Sequence, residues 1–159
     1  MIIDTLITNR TQADVDRVTE LTQKFLLGTI TTEEKAEYMA GLKGAYNYTD
    51  LNRVGEAVAY IANIMNQSGH SVSVTAKQDW TVEDIPTLAQ MTAFLTDLSL
   101  LKTNSTATTQ VPSNMDRLTY QRANQIEQLL IEAYNSIIRE GADWEKCGIA
   151  ISGLEGGLL

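Results

Sequence analysis

Apolar side chains recur every three or four positions along most of this chain, the spacing that places them on one face of an α-helix. The widest stripe lies near the middle of the sequence and consists of Leu51, Val54, Val58, Ile61 and Met65, widened by Ala57, Tyr60 and Ile64. A stripe of that width is typical of a helix buried on more than one side. We therefore expect this helix to form the centre of the fold.

Helix-start and helix-stop signals divide the pattern into five segments. Thr11, Thr31 and Thr87 each precede an apolar repeat and have an Asp, Glu or Gln three residues later, which is the spacing of a capping box. Gly28 and Gly44 follow the first two repeats and indicate helix ends. The pattern predicts helices at about 11–27, 31–43, 49–67, 87–103 and 119–140.

The last two helices have predicted inward faces. In the fourth, Leu88, Met91, Leu95 and Leu98 form the repeat, with Phe94 and Leu101 beside it. In the fifth, the inward residues are Ala123, Ile126, Leu130, Ala133 and Ile137, and Gly141 indicates the end of the helix.

Three short segments break the helical period, at residues 2–7, 71–76 and 148–152, and their apolar residues predict extended chain. Each is too short to form a sheet alone. The Ser, Thr and Asn content of residues 104–112 predicts an exposed linker, and the glycine-rich residues 148–159 predict a flexible tail. The predicted fold is all-α, with about five helices in a small bundle that forms a single domain over residues 1–147.

Charge and hydropathy exclude two classes of partner. The chain has 12 Lys and Arg against 20 Asp and Glu, a formal net charge of −8, and its basic residues are scattered singly. Nucleic-acid binding depends on clustered positive charge, so direct nucleic-acid binding is not expected. Because no apolar stretch approaches the roughly 18 residues of a membrane span, no membrane partner is expected either.

The residues that could carry chemistry are few. His70 is the only histidine, which excludes a two-histidine metal site, and no Gly-x-Ser-x-Gly elbow is present. Glu127 and Glu132 lie five positions apart, on different faces of one predicted helix. We therefore expect no catalytic residues, no metal and no cofactor, and we do not expect an enzyme.

The run Tyr46, Asn47 and Tyr48 has two interpretations. It could be an aromatic platform that binds a sugar or a peptide. It could instead be the turn between the second and third helices, with Gly44 in a positive-φ conformation and the tyrosine hydroxyls in water. Turn and capping signals account for nearly every residue here, so the turn is favoured and binding is kept as the minority interpretation.

Four stretches of the sequence resemble one protein family. They are LITNRTQADVDRVTEL at 6–21, TTEEKAEYMAGLKGAYNYTDLNRVGEAVAYIA at 31–62, DWTVEDIPTLAQM at 79–91 and LTYQRANQIEQLL at 118–130. Together they resemble a helical module of structural proteins from tailed bacteriophages and prophages of Gram-positive bacteria, which are described as minor virion or tail-region proteins. The resemblance covers most of residues 6–140 in order, and it implies no catalytic or metal-binding residues.

The resemblance implies a structural subunit of the tail, baseplate or neck, located in the virion and assembled in the cytoplasm of the bacterial host. Its expected partners are copies of itself in a symmetric ring or sleeve and neighbouring virion proteins. Apolar residues outside the helical repeats are the expected assembly contacts: Ile2, Ile3, Leu6, Ile7, Val72, Val74, Trp144, Ile149, Ile151 and Leu154. The alternatives are a cell-wall hydrolase at the tail tip and a soluble phage-encoded regulatory adaptor.

Overall fold

A computed structural model describes the backbone of residues 1–155 and the side chains of residues 1–142. A 3₁₀ helix at Ile2–Thr5 is followed by α1 (Gln12–Leu27), α2 (Thr32–Ala40), α3 (Tyr48–Gln67), α4 (Leu88–Thr103) and α5 (Tyr120–Glu155). Residues 1–155 contain no β-strand. The predicted all-α class is confirmed.

The three predicted capping boxes are present at the starts of α1, α2 and α4. In each, the threonine side chain accepts a hydrogen bond from a backbone N–H three residues on, and the side chain at that position accepts one from the threonine N–H. The pairs are Thr11 with Asp14, Thr31 with Glu34, and Thr87 with Gln90. These contacts satisfy backbone donors that have no partner within the helix.

Two predicted boundaries need correction. The second helix ends at Ala40, because Gly41 leaves the helical conformation with a φ of 94°. The third helix begins with Tyr48, because Asn47, two residues before the predicted cap, accepts a hydrogen bond from the Thr49 N–H at 2.9 Å. Asp50 completes that box by accepting from the Asn47 N–H.

Helices α3, α4 and α5 pack against one another around the main hydrophobic core. The predicted central helix is confirmed, since α3 buries Val54, Ala57, Val58, Ile61 and Met65 completely. The predicted inward residues of α5 are also buried, namely Ala123, Ile126, Leu130, Ala133 and Ile137. The 3₁₀ helix packs against α3 and α5, and its Ile3 is buried as part of the hydrophobic core.

The predicted face of α4 is wrong in part. Phe94, Leu98 and Leu101 face the core, whereas Leu88 is 77% exposed. Leu88 and Met91, one turn apart, line a surface groove together with Leu95, which also touches the edge of the core. Because α4 is apolar on two sides, periodicity alone could not decide which side the core would take.

Asparagine side chains hold the segments between helices in place of a sheet. Asn52 on α3 accepts a hydrogen bond from the backbone N–H of Trp80 at 2.7 Å and donates one to the Trp80 carbonyl at 2.9 Å. The same two-way pairing joins Asn66 to Val72 and Asn124 to Arg10. Each amide therefore satisfies both backbone groups of one residue that lacks a strand partner.

Carboxylates hold two further segments. Asp97 on α4 accepts from the Thr75 N–H at 2.9 Å, and burial, partly offset by this hydrogen bond, raises the pKa of Asp97 above its ordinary value. Glu132 on α5 accepts from the N–H groups of Thr108 and Thr109 at 2.8 and 2.9 Å. The predicted exposed linker is therefore corrected, because Thr106, Thr108 and Thr109 are hydrogen-bonded to α5 and Ala107 is buried in the core.

The predicted end of the fifth helix also needs correction. The backbone of α5 is helical through Gly141 and on to Glu155, so residues 148–152 are not extended. Glycine costs a helix only about 1 kcal/mol relative to alanine, and no proline follows to stop it. Residues 148–155 of the predicted flexible tail thus have a helical backbone, and residues 156–159 lie outside the described residues.

We expect Asn52→Ala to lower the free energy of unfolding by about 1–3 kcal/mol, because it leaves the N–H and carbonyl of the buried Trp80 without partners. Urea unfolding followed by circular dichroism measures the change. Asn63→Ala, at an exposed position on the same helix, is the matched control and should cause no loss. Equal losses in the two variants would contradict the proposed role of the amide.

A second prediction concerns pH. Burial raises the pKa of Glu132, but hydrogen bonds from Thr109 and Thr108 outweigh this effect and hold the pKa at about 2, below the ordinary value of 4.5 for a glutamate. Because the folded-state pKa is lowered, the stabilisation is present above the unfolded-state value and is lost as pH falls from there towards the folded value. The stability difference between wild type and Glu132→Gln should therefore shrink as pH falls below about 4.5.

Urea midpoints measured from neutral to acid pH test this prediction. Glu83→Gln, at an exposed loop position, is the control and should show no such narrowing. A constant difference between wild type and Glu132→Gln would show that the carboxylate charge does not hold the segment.

Candidate functional site

A cluster of four charged side chains joins the N-terminal segment to the bundle. Arg10 precedes α1, Asp50 and Arg53 lie on α3, and Glu127 lies on α5. Arg10 is only 3% exposed, and Glu127 is completely buried. The Nη2 atom of Arg10 lies 2.9 Å from Asp50 Oδ1 and 2.7 Å from Glu127 Oε1. The cluster therefore brings together three parts of the chain that are far apart in sequence.

The hydrogen bonds of the cluster use both carboxylates fully. Glu127 Oε1 accepts from Arg10 and Arg53, while its Oε2 accepts from Arg53 Nε at 3.3 Å and from the Ile7 N–H. Asp50 accepts from both arginines and from the Asn47 N–H. Burial by itself lowers the pKa of Arg53. Its hydrogen bonds and ion pairs with Glu127 and Asp50 raise the pKa by more than burial lowers it, so the net shift is upward.

Arg10 also binds backbone carbonyl groups. Its Nη1 donates to Ile7 at 2.7 Å and its Nε donates to Lys43 at 3.1 Å. The four side chains sum to zero net charge, and each is paired. A neutral and saturated cluster of this kind fixes geometry and has no free acid or base with which to transfer a proton.

Helices α1 and α2 form an arm that projects from the bundle. They pack on each other, and neither makes an extensive contact with α3, α4 or α5. Leu21 is the buried residue of α1, and it lies outside the main core cluster. Residues 12–40, all within the described chain, are called the arm below.

Ion pairs and one aromatic pair hold the arm together. Arg17 on α1 binds Glu37 on α2 at 2.6 Å, and Lys24 binds Glu34. The rings of Phe25 and Tyr38 stack with their centroids 5.5 Å apart. These exposed pairs each stabilise weakly, and they join α2 to α1 at three places.

The base of the arm is fixed to the bundle by Arg10, Lys43 and Gly44. Lys43 donates to the Asn9 carbonyl at 2.7 Å, next to the arginine already described. A Cβ on Gly44 would lie 2.2 Å from the carbonyl oxygen of Asp14, so a larger residue could not fit beneath α1. The structural requirement at Gly44 is thus close backbone approach and not the positive φ that was predicted.

The far end of α1 carries an exposed apolar tip, defined as Phe25, Leu26 and Leu27. Leu26 and Leu27 are 78% and 76% exposed, and Phe25 is partly exposed. Gly28 ends the helix directly afterwards with a φ of 70°. Contiguous exposed apolar residues at the end of a projecting element are typical of interaction surfaces.

A groove of about 1410 Å³ with a mixed apolar and polar lining lies at the other end of the arm. One wall is the outer face of α4, with Leu88, Met91 and Leu95, and the opposite wall is the loop that carries Val111 and Met115. Gln12 and Val15 at the start of α1 and Tyr46 complete the lining. Arg10 and Asp116 are the charged residues of this lining, so the groove is nearly uncharged. This volume exceeds the roughly 300–1,000 Å³ of small-molecule pockets.

Tyr46, Asn47 and Tyr48 do not share one role. The guanidinium of Arg10 lies 5.5 Å from the centroid of the Tyr46 ring, and the buried Tyr46 hydroxyl has no hydrogen-bond partner in the described chain. Burial raises the pKa of this hydroxyl above its ordinary value, and Glu127 and Asp50 add to the shift. The expectation that both hydroxyls reach water is therefore wrong for Tyr46. Asn47 caps α3, and Tyr48 is partly exposed.

The predicted assembly contacts fall into three groups. Ile3 and Val72 are buried in the monomer's own core, so they leave little surface for a partner. Ile2, Leu6 and Val74 pack against that core and are partly buried, and Ile7 is partly buried. The side chains of Trp144, Ile149, Ile151 and Leu154 lie outside the described residues.

The remaining polar candidates have structural partners. His70 Nε2 lies 3.1 Å from Glu140 Oε2 on α5, and it links the loop after α3 to that helix. Side chains described in the structure form no group of three or more His, Cys, Asp or Glu that could hold a metal. Within the same part of the chain, no helix combines the length and apolar character needed to cross a membrane.

Comparison with known proteins adds no relative: the chain matches no family model, no curated protein and no solved structure.

Sequence reasoning missed the charge cluster, the arm and the groove. One signal was available, since Glu127 falls between Ile126 and Leu130 on the predicted inward face of α5. A carboxylate at such a position needs a buried partner, such as a cation or a backbone N–H group. Nothing local to Arg10 identifies it as that partner, because the pairing spans more than a hundred residues.

We expect Arg10→Met to lower the free energy of unfolding by about 3–5 kcal/mol, because it removes one partner from a buried ionic cluster. Chemical denaturation measures the loss. Arg17→Met is the matched control, since Arg17 also binds a carboxylate through two nitrogens but at an exposed position, and it should cause a much smaller change. Similar losses for the two variants would show that the Arg10 cluster adds no more than a surface pair.

Proposed function

We propose that this protein is a structural subunit of a bacteriophage virion, in the tail, baseplate or neck region. It acts through contacts with copies of itself and with neighbouring virion proteins, and it enters the particle in the cytoplasm of the bacterial host. The resemblance of residues 6–140 to a helical module of phage structural proteins supports the virion assignment.

One structural observation supports action by assembly. The chain combines a buried hydrophobic core with two surfaces that have no partner within the described residues, namely the apolar tip of the arm and the groove. Contiguous exposed apolar residues such as those of the tip are typical of interaction surfaces.

The charged residues support the same proposal over catalysis. An enzyme that hydrolyses cell wall needs an acid and a base placed in a cleft. Here the buried carboxylates of Asp50 and Glu127 are paired with arginines, and the groove lining contains a single carboxylate, Asp116. We therefore propose that the protein is not an enzyme.

Mass spectrometry of purified particles tests the virion assignment. We expect peptides of this chain in particles from the strain that encodes it, at a fixed ratio to other structural proteins and after washing in high salt. Presence in the cell lysate together with absence from particles would contradict the proposal and favour a regulatory adaptor. Cell-wall hydrolysis by the purified protein in a zymogram would contradict the non-enzymatic assignment.

A further inference from the structure

We draw no further inference here: the strongest candidate, the groove between the outer face of α4 and the loop that carries Val111 and Met115, carries none, because nothing in the structure shows what covers it.

Discussion

The structure depends on the burial of one arginine. Arg10 lies in the short segment between the 3₁₀ helix and α1, yet it contacts α3 and α5 through their carboxylates and the start of the α2–α3 connection through the Lys43 carbonyl. Removing the charge from water is costly, and only the paired carboxylates and the backbone carbonyls around it make that position stable. The direction in which α1 leaves the bundle is set at this point.

Hydrogen bonds from helix side chains also fix the segments between the helices. Five helices do not provide strands for the segments between them, so side chains on the helices bind the backbone of those segments directly. Three amide side chains each pair with the N–H and the carbonyl of one residue, namely Asn52, Asn66 and Asn124. Asp97 accepts a hydrogen bond from the N–H of Thr75, and Glu132 accepts from two consecutive N–H groups. Long connections are therefore ordered without a sheet, and the surface on both sides of α4 is shaped by them.

The arm carries an apolar tip at one end, and the groove lies at its base. The arm has little core of its own and is held by ion pairs, an aromatic stack and the anchor at its base. Such an element adds little to the stability of a monomer, and its exposed tip adds nothing to it. Both features become useful when the chain associates with another protein, which is why assembly is the function that we propose.

The sequence by itself determined the class of fold, the five helices, three of their capping boxes and the central place of α3, because these follow from local periodicity and from side chains three residues apart. Tertiary structure alone decided which face of α4 is buried, since Leu88 and Leu98 fit a helical repeat equally well. It also decided that Arg10 is the partner of Glu127, a pairing across more than a hundred residues that no local pattern records. The end of α5 was predicted wrongly for a local reason, because a glycine weakens a helix by a small free energy that the rest of the helix can outweigh.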